Sequence, residues 1–296
     1  MTQAKLYWIQ AISSLHVGSG RGAGFIDLPI MRDRATNFPV IPGSSVKGVL
    51  RDYFEHLKSI DIKEDFIKAA FGLGSDDGSH SGSLMFSDAK IVLLPVRSFK
   101  GTFAYVTSPM VLTLMSKLIK AVNSNAKTLE IPLLKNTDKA LIPGDDSVLI
   151  SGDMIYLEDM DFAREKDDKV KKWADFLAGQ IFTDKAWQEI FTKRFMVLHD
   201  DMFDFLCESA TEVNARIRID DKTGTVQEGA LWYEESLPAE SVLAGTICLD
   251  RVYGKSGIDA SVLIDTFCKD NLTCQMGGKA TTGKGQALVR IMDIKA

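Results

Sequence analysis

The sequence predicts an α+β fold: a ferredoxin-like βαββαβ core carrying long insertions. Three observations predict it. The chain opens on a strand, a glycine-dense loop and an amphipathic helix. It closes on a strand, a helix and two extended segments with a second glycine-rich loop between them. Between Asn214 and Glu235 the pattern switches to the alternation of a hairpin. In a βαββαβ arrangement the first and last strands are neighbours, so the two glycine loops are expected to meet at one edge. The length of 296 residues suits two average domains or one with large additions. It is read as one domain over 1–296, with insertions at about 60–82 and 123–212 and the hairpin at about 213–236.

Lys5 to Val17 mixes β-branched, aromatic and leucine positions and reads as a strand that reaches His16. The loop beyond it alternates Gly18, Gly20, Gly22 and Gly24 with Ser19, Arg21 and Ala23. Every second residue lacks a side chain, so the backbone can approach a ligand closely, and Arg21 supplies charge. Ile41-Pro42-Gly43-Ser44-Ser45 reads as a turn into a helix, with Ser44 or Ser45 as the cap. Val46, Val49, Leu50, Tyr53, Phe54 and Leu57 form its buried stripe, and Lys47 and Arg51 stand four apart on another face. Serine hydroxyls, a lysine and an arginine near a helix start make a phosphate seat; a solvated basic face is the alternative.

Lys63 to Phe71 is expected to be a short helix, 72–82 a flexible loop, and Ser83 to Val96 a strand broken near Asp88. Thr102 to Thr107 reads as a strand and Pro109 to Val122 as a helix started by Ser108. Residues 123–152 carry only weak strand and turn signals. Asp167 to Ile181 is an amphipathic helix, Phe195 to Leu198 a strand and Asp201 to Ser209 a helix. In the hairpin, Arg216, Ile217, Arg218 and Ile219 alternate before the turn residues Asp220 to Gly224, with Trp232 and Tyr233 on the returning strand. Basic and aromatic side chains on a hairpin suit either a solvated ribbon or a surface that wedges between bases. Ser241 to Asp250 is a strand, Asp259 to Lys269 a helix, and Leu272 to Ile294 closes the chain around GGKATTGKG. Gly277, Gly278, Gly283 and Gly285 permit close approach there, while Lys279, Thr281, Thr282 and Lys284 offer charge and hydroxyls. The spacing is not that of a Walker loop.

Composition narrows the function classes. With 45% hydrophobic and 25% charged residues, the chain has the makeup of a soluble globular protein with a substantial core. No apolar run approaches a membrane span and the N-terminus lacks a signal-peptide layout, so the cytoplasm is the expected location. Cys207, Cys248, Cys268 and Cys274 form no C-x-x-C pair, which supports buried thiols over zinc or disulfides. A net charge of −5 argues against a uniformly basic nucleic-acid binder. Bases nonetheless gather at the two ends: Arg21, Arg32, Arg34, Lys47, Arg51 and Lys58 near the first loop, and Lys269, Lys279, Lys284, Arg290 and Lys295 near the second. Acids crowd the middle, as in Asp145-Asp146 and Glu158-Asp159-Met160-Asp161.

Three stretches carry a family resemblance. HVGSG followed by GFIDLPI and IPGSSVKGVLRDYF, then RIRID with TGTV and EGALWYEE, then the GGKATTGKG loop resemble the RAMP superfamily of CRISPR proteins. The likeness is to the repeated backbone subunit of the type III-B effector, the Cmr complex, and it is weak between about Lys100 and Met196. It implies an RRM-like palm with a protruding β-hairpin thumb, polymerised in copies along a crRNA guide beside other subunits of the effector. It also implies cleavage of the paired target RNA at regular intervals through an aspartate after the first strand, which here is Asp27. A carboxylate before Leu-Pro can equally cap a turn. His16 and Glu228 are secondary catalytic candidates. The resemblance implies a divalent cation, Mg in the first instance, for which no clustered carboxylates mark a site. A scaffold that only holds guide RNA, the type III-A backbone subunit and a guide-processing endoribonuclease of the same superfamily are the other readings. The last lacks a histidine-tyrosine-lysine set.

Overall fold

The computed structural model describes residues 3–20, 22, 24–56, 62–74, 79–254, 257–268 and 271–294. The palm begins with β1 (Gln3–Ala11), β2 (Val40–Ile41) and α1 (Gly43–His56). A layer of α2 (Glu64–Phe71) and the short pair β3 (Gly72–Leu73) and β4 (His80–Ser81) follows, then β5 (Leu84–Phe86) and β6 (Ala89–Arg97). Next come β7 (Phe103–Thr107), α3 (Pro109–Val122), β8 (Lys139–Ile142), β9 (Met154–Leu157) and β10 (Met160–Lys166). The middle ends with α4 (Asp168–Ile181), α5 (Lys185–Thr192), β11 (Phe195–Leu198) and α6 (Asp200–Ser209). The chain then forms β12 (Glu212–Ile219), β13 (Val226–Ser236), β14 (Val242–Leu249), α7 (Ala260–Phe267), β15 (Asn271–Gln275) and β16 (Gln286–Met292).

Among the described residues a 12-stranded sheet runs β15-β16-β1-β14-β6-β7-β11-β8-β10-β9, with β2 and β5 as side branches. Its β16-β1-β14-β6 portion is the antiparallel order expected of a βαββαβ core. β1 and β16 pair from Leu6↔Met292 to Ala11↔Ala287, which brings both glycine loops to the same end. The residues after 123 do not form a separate body: β8 to β11 continue the palm sheet beyond β7.

Local chemistry explains most boundaries. Ser108 caps α3 through Val111 N–H, Asp167 and Asp184 cap α4 and α5, and Asp259 caps α7. α1 buries Val46, Leu50 and Phe54, as its stripe requires; Leu57 lies outside the described residues. Phe54, Phe71 and Phe267 join α1, α2 and α7 in one aromatic cluster with centroids 4.9–6.2 Å apart. The start of α1 abuts the β5–β6 turn, where a Cβ on Gly43 would collide with the carbonyl oxygens of Phe86 and Ser87.

Several sequence expectations need correction. The first strand stops at Ala11, because Ile12 and Ser13 bond to Gln286 and the chain then leaves the sheet. Neither Ser44 nor Ser45 caps α1: both lie inside its first turn, and the free N–H of Gly43 is taken by Asp88 Oδ1 at 2.8 Å. The segment read as a flexible loop at 72–82 contains the β3–β4 pair. Burial holds the thiols of Cys207, Cys268 and Cys274 above their usual range, Cys268 at about 12 and Cys274 at about 11, in keeping with inert buried cysteines.

Candidate active site

Residues 17–19 turn back against 29–31, with Met31 N–H on Val17 O at 2.8 Å and Ser19 N–H on Pro29 O at 3.0 Å. Gly18 and Ser19 are thus in a short ladder, and the glycines free for other work are at the tip. Gly20 and Gly24 have φ of +74° and +59° with open space where a Cβ would be, so glycine is there for its dihedral freedom. Arg21 lies outside the described residues.

The return limb of this loop, residues 27–30, lies parallel along the outer edge of β13. Leu28 N–H donates to Tyr233 O at 3.0 Å, and Glu235 N–H donates to Leu28 O at 3.0 Å. At the head of this strap Tyr233 N–H donates to Asp27 Oδ2 at 2.8 Å. Asp27 is exposed, and its Oδ1 has no partner among the described residues. Phe25, 75% exposed, packs edge-on against Tyr233 with centroids 6.3 Å apart. One carboxylate oxygen is thereby held, and the other is presented beside two exposed rings.

β12 and β13 form a ribbon of their own with Ala215↔Tyr233, Arg216↔Trp232 and Ile217↔Leu231 in register. Side chains alternate across it, so its two faces differ. Ile217, Ile219, Val226, Leu231 and Tyr233 make one face, all exposed. Arg216, Trp232 and Glu234 share the other, so Trp232 and Tyr233, read from sequence as one aromatic pair, point to opposite sides. Glu234 is buried and accepts from Lys279 Nζ and Trp232 Nε1, each at 2.8 Å, with Arg216 Nε at 3.4 Å. Burial alone would raise its pKa; the Lys279 and Trp232 hydrogen bonds and the two cations overcome that and hold it at about 2. Arg216, Trp232 and Lys279 therefore anchor the root of the ribbon. Arg218, exposed near the register shift after Ile217, has no partner among the described residues. Glu228 is exposed on β13, five residues beyond Tyr233 and so about 15 Å further out; the structure does not bring it to Asp27.

The two glycine loops meet around His16. Its Nδ1–H donates to Glu235 O at 2.6 Å, and its own carbonyl accepts from Gly278 N–H at 2.9 Å. The imidazole is buried between Gly18 and Gly278, and a Cβ on Gly277 would collide with the His16 carbonyl. His16 thus closes the loop junction. Lys284, expected to reach a phosphate, is buried instead: its Nζ donates to Ser236 Oγ at 2.6 Å, and desolvation lowers its pKa. Gly285 is pressed against Met276 O and bonds Ser14 O at 2.9 Å. Gly283 takes φ +83° to end a 3₁₀ turn, where Thr282 Oγ bonds Lys279 O and Thr281 is exposed. On α1, Val49, Asp52, Tyr53 and His56 line a cleft with Thr273 to Gln275. Lys47 and Arg51 occupy the opposite flank, Arg51 paired with Glu55 at 2.7 Å and Ser44 exposed beside them. They do not converge with the second loop.

Sequence reasoning missed Glu234, Glu235 and the role of Arg32. The signal was available: two adjacent carboxylates at the end of a strand cannot both face solvent when both strand faces meet other elements. Among the described residues no three or more His, Cys, Asp or Glu side chains converge as metal ligands, and Asp27 stands as a lone carboxylate. Mg²⁺ is commonly held by one or two carboxylates together with water and substrate phosphates, and Asp27 is the side chain here that would hold it.

This fold and this loop-and-ribbon site define a class: the chain belongs to the RAMP superfamily, whose sequence profile matches residues 8–288. It is similar to the CRISPR system Cmr endoribonuclease Cmr4 of Pyrococcus furiosus, with 35% identity over 295 residues covering 99% of this chain and 97% of that protein. The crystal structure of oligomeric Cmr4 from Pyrococcus furiosus matches with a TM-score of 0.75 at 27% identity, over 99% of each chain. A chain of the type III-B Cmr-beta complex bound to cognate target RNA, determined by cryo-EM, gives 0.73 at 25% identity over 97% of this chain and 96% of its own. The expected α+β palm and the likeness to the type III-B backbone subunit are both borne out. Among the described residues no helix is long and apolar enough to cross a membrane.

Proposed function

We propose that this chain is the repeated guide-RNA-binding subunit of a type III-B CRISPR interference complex in the cytoplasm, and an endoribonuclease within it. Copies line the crRNA, and each copy cuts the target single-stranded RNA paired to that guide. The observation that carries this reading is Asp27, whose carboxylate is held by Tyr233 N–H through one oxygen and open at the other. It stands at the foot of an exposed apolar ribbon face, which suits unstacking of bases. Lys47, Arg51, Arg218, Thr281 and the tip of the first glycine loop supply the phosphate contacts.

The chemistry follows from that placement. RNA splayed by the ribbon lets the 2′-oxygen line up with the phosphorus and the leaving 5′-oxygen, and alignment supplies much of the rate. Asp27 Oδ1 takes the 2′-hydroxyl proton as the 2′-oxygen–phosphorus bond forms. The phosphorus–5′-oxygen bond breaks, and the 5′-oxygen takes a proton from water. The products are a 2′,3′-cyclic phosphate and a 5′-hydroxyl. A divalent cation held at Asp27 would supply charge to stabilise the phosphate and the leaving 5′-oxygen.

Asp27→Asn tests the reading in a reconstituted complex. Asparagine still accepts the Tyr233 hydrogen bond, so folding, assembly and target binding should persist. It has no basicity, so cleavage should fall by about 10³-fold or more at every site together. Cleavage at the normal rate in the fully substituted complex would leave Asp27 as a loop cap and the chain as a non-cleaving scaffold.

A further inference from the structure

Glu235 is a buried carboxylate of β13 to which the reaction above assigns nothing, yet its side chain and backbone make several bonds to the strap and its surroundings. Its Oε2 accepts from Ile30 N–H at 3.0 Å, and its Oε1 takes Arg32 Nη2 and Thr211 Oγ–H, the latter at 3.0 Å. Its backbone N–H donates to Leu28 O and its carbonyl accepts from His16 Nδ1. Its side chain is 2% exposed and that of Arg32 17%. Glu235 therefore ties together four parts: the strap at 28–32, the α6–β12 link at Thr211, the ribbon strand β13 and the first glycine loop at His16.

The consequence concerns Asp27. The strap is fixed on three sides: to the first limb of its own loop through Val17 and Ser19, to the palm through Met31 and Val40, and to the ribbon through Tyr233 and Glu235. Asp27 itself lies at the far end from the palm bonds, and among the described residues the hydrogen bonds of residues 27, 28 and 30 to another element run to Tyr233 or Glu235. Removing the Glu235 side chain would free Ile30 N–H and one end of Arg32, leaving Asp27 on a strap that meets the ribbon through the Leu28 bonds and its own bond to Tyr233 alone. We propose that Glu235 is a positioning residue for cleavage: with Arg32 it locks the strap to the ribbon, so that the Asp27 carboxylate takes its place from the thumb and not from the palm. This rests on the catalytic reading of Asp27. It makes the thumb and the base one rigid part, so that seating the ribbon on the RNA seats the carboxylate against its phosphate.

The test uses the guide-loaded complex with Glu235→Gln, Glu235→Ala and Arg32→Ala, read by target affinity, single-turnover cleavage rate and amide hydrogen exchange of residues 27–31. A misplacement of about 1 Å costs on the order of 100-fold in rate, so Glu235→Ala should lose about that much, with target affinity changed by less than about twofold. Glutamine keeps an oxygen for Ile30 N–H but presents an amide to Arg32, so Glu235→Gln should fall between wild type and alanine. Exchange at Leu28 and Ile30 should rise in the same order. Should Glu235→Ala fail to assemble, Glu235→Gln and Arg32→Ala decide the matter, since both leave most of the buried contacts in place. Raised exchange with an unchanged rate, unchanged exchange, or rate and affinity lost together would each overturn the proposal. Asp27→Asn run alongside separates the two ideas. If it still cleaves, the catalytic reading has failed, and exchange alone decides whether Glu235 holds the strap.

Discussion

The two faces of the β12–β13 ribbon are built from the same two strands and have opposite physics. On one, Arg216, Trp232 and Glu234 reach Lys279 of the second glycine loop, and the central carboxylate is buried and held at about 2. On the other, Ile217, Ile219, Val226 and Leu231 are each about half exposed, and none is packed on the core among the described residues. A two-stranded ribbon is marginal alone, so its orientation must come from the root. The polar face does that, which leaves the apolar face free to meet a partner. A single alternating pattern thus separates holding from contacting.

The largest expected effect breaks the holding face. Glu234→Ala leaves Lys279 and Arg216 facing each other without their carboxylate, and stability should fall by about 3 kcal/mol, measured by chemical denaturation. A loss confined within about 0.5 kcal/mol would mean the ribbon root is held by its backbone alone.

Breaking the contacting face should act on function and spare the fold. Ile217→Asp with Leu231→Asp places charge where bases are expected to lie, and cleavage should fall on the order of 30-fold in the assembled complex, while the melting temperature of the free chain stays nearly unchanged. A large drop in melting temperature would show that this face packs on the protein after all.

Acid sharpens the contrast further. Glu234 titrates at about 2 in the fold against an ordinary 4.5, a lowered value. Its contribution is therefore complete above about pH 4.5 and is lost as pH falls from 4.5 toward 2. Proteolytic sensitivity of residues 212–236 should rise across that window, and Glu234→Gln should flatten the rise. The smallest effect is expected at Arg218, which has no carboxylate among the described residues. Arg218→Ala should lower the salt slope of RNA binding by about one and leave stability unchanged.

The ends of the chain were legible because their elements are long and carry their own punctuation. Ser108-Pro109 announces α3, Asp259 announces α7, and the stripe of α1 is continuous. The middle was not, since β8 and β9 are four residues each, and β8 pairs with β10 and β11 and not with a strand beside it in sequence. α5 went unread although Asp184 caps it, and only Phe191 of its residues is buried. Within the site, glycine spacing located both loops, and the element order placed them at one end. Burial was the illegible part. Lys279 and Lys284 stand five apart in one polar loop, yet Lys284 lies under Ser236 and Lys279 on Glu234, a distinction made by tertiary packing. The split of Trp232 from Tyr233 follows from strand alternation and was readable; the bonding of Arg32 to Glu235 across 203 positions was not.

The strap covers the outer edge of β13 only near Tyr233 and Glu235. Further out, the β13 edge along Val226 to Leu231 and the β12 edge carry no strand neighbour among the described residues. Such edges, beside an apolar face, are templates for pairing with another chain. A subunit synthesised in excess over its guide would find that template on its siblings, and soluble yield would fall as the excess grew. Assembly that covers those edges would then limit such self-pairing.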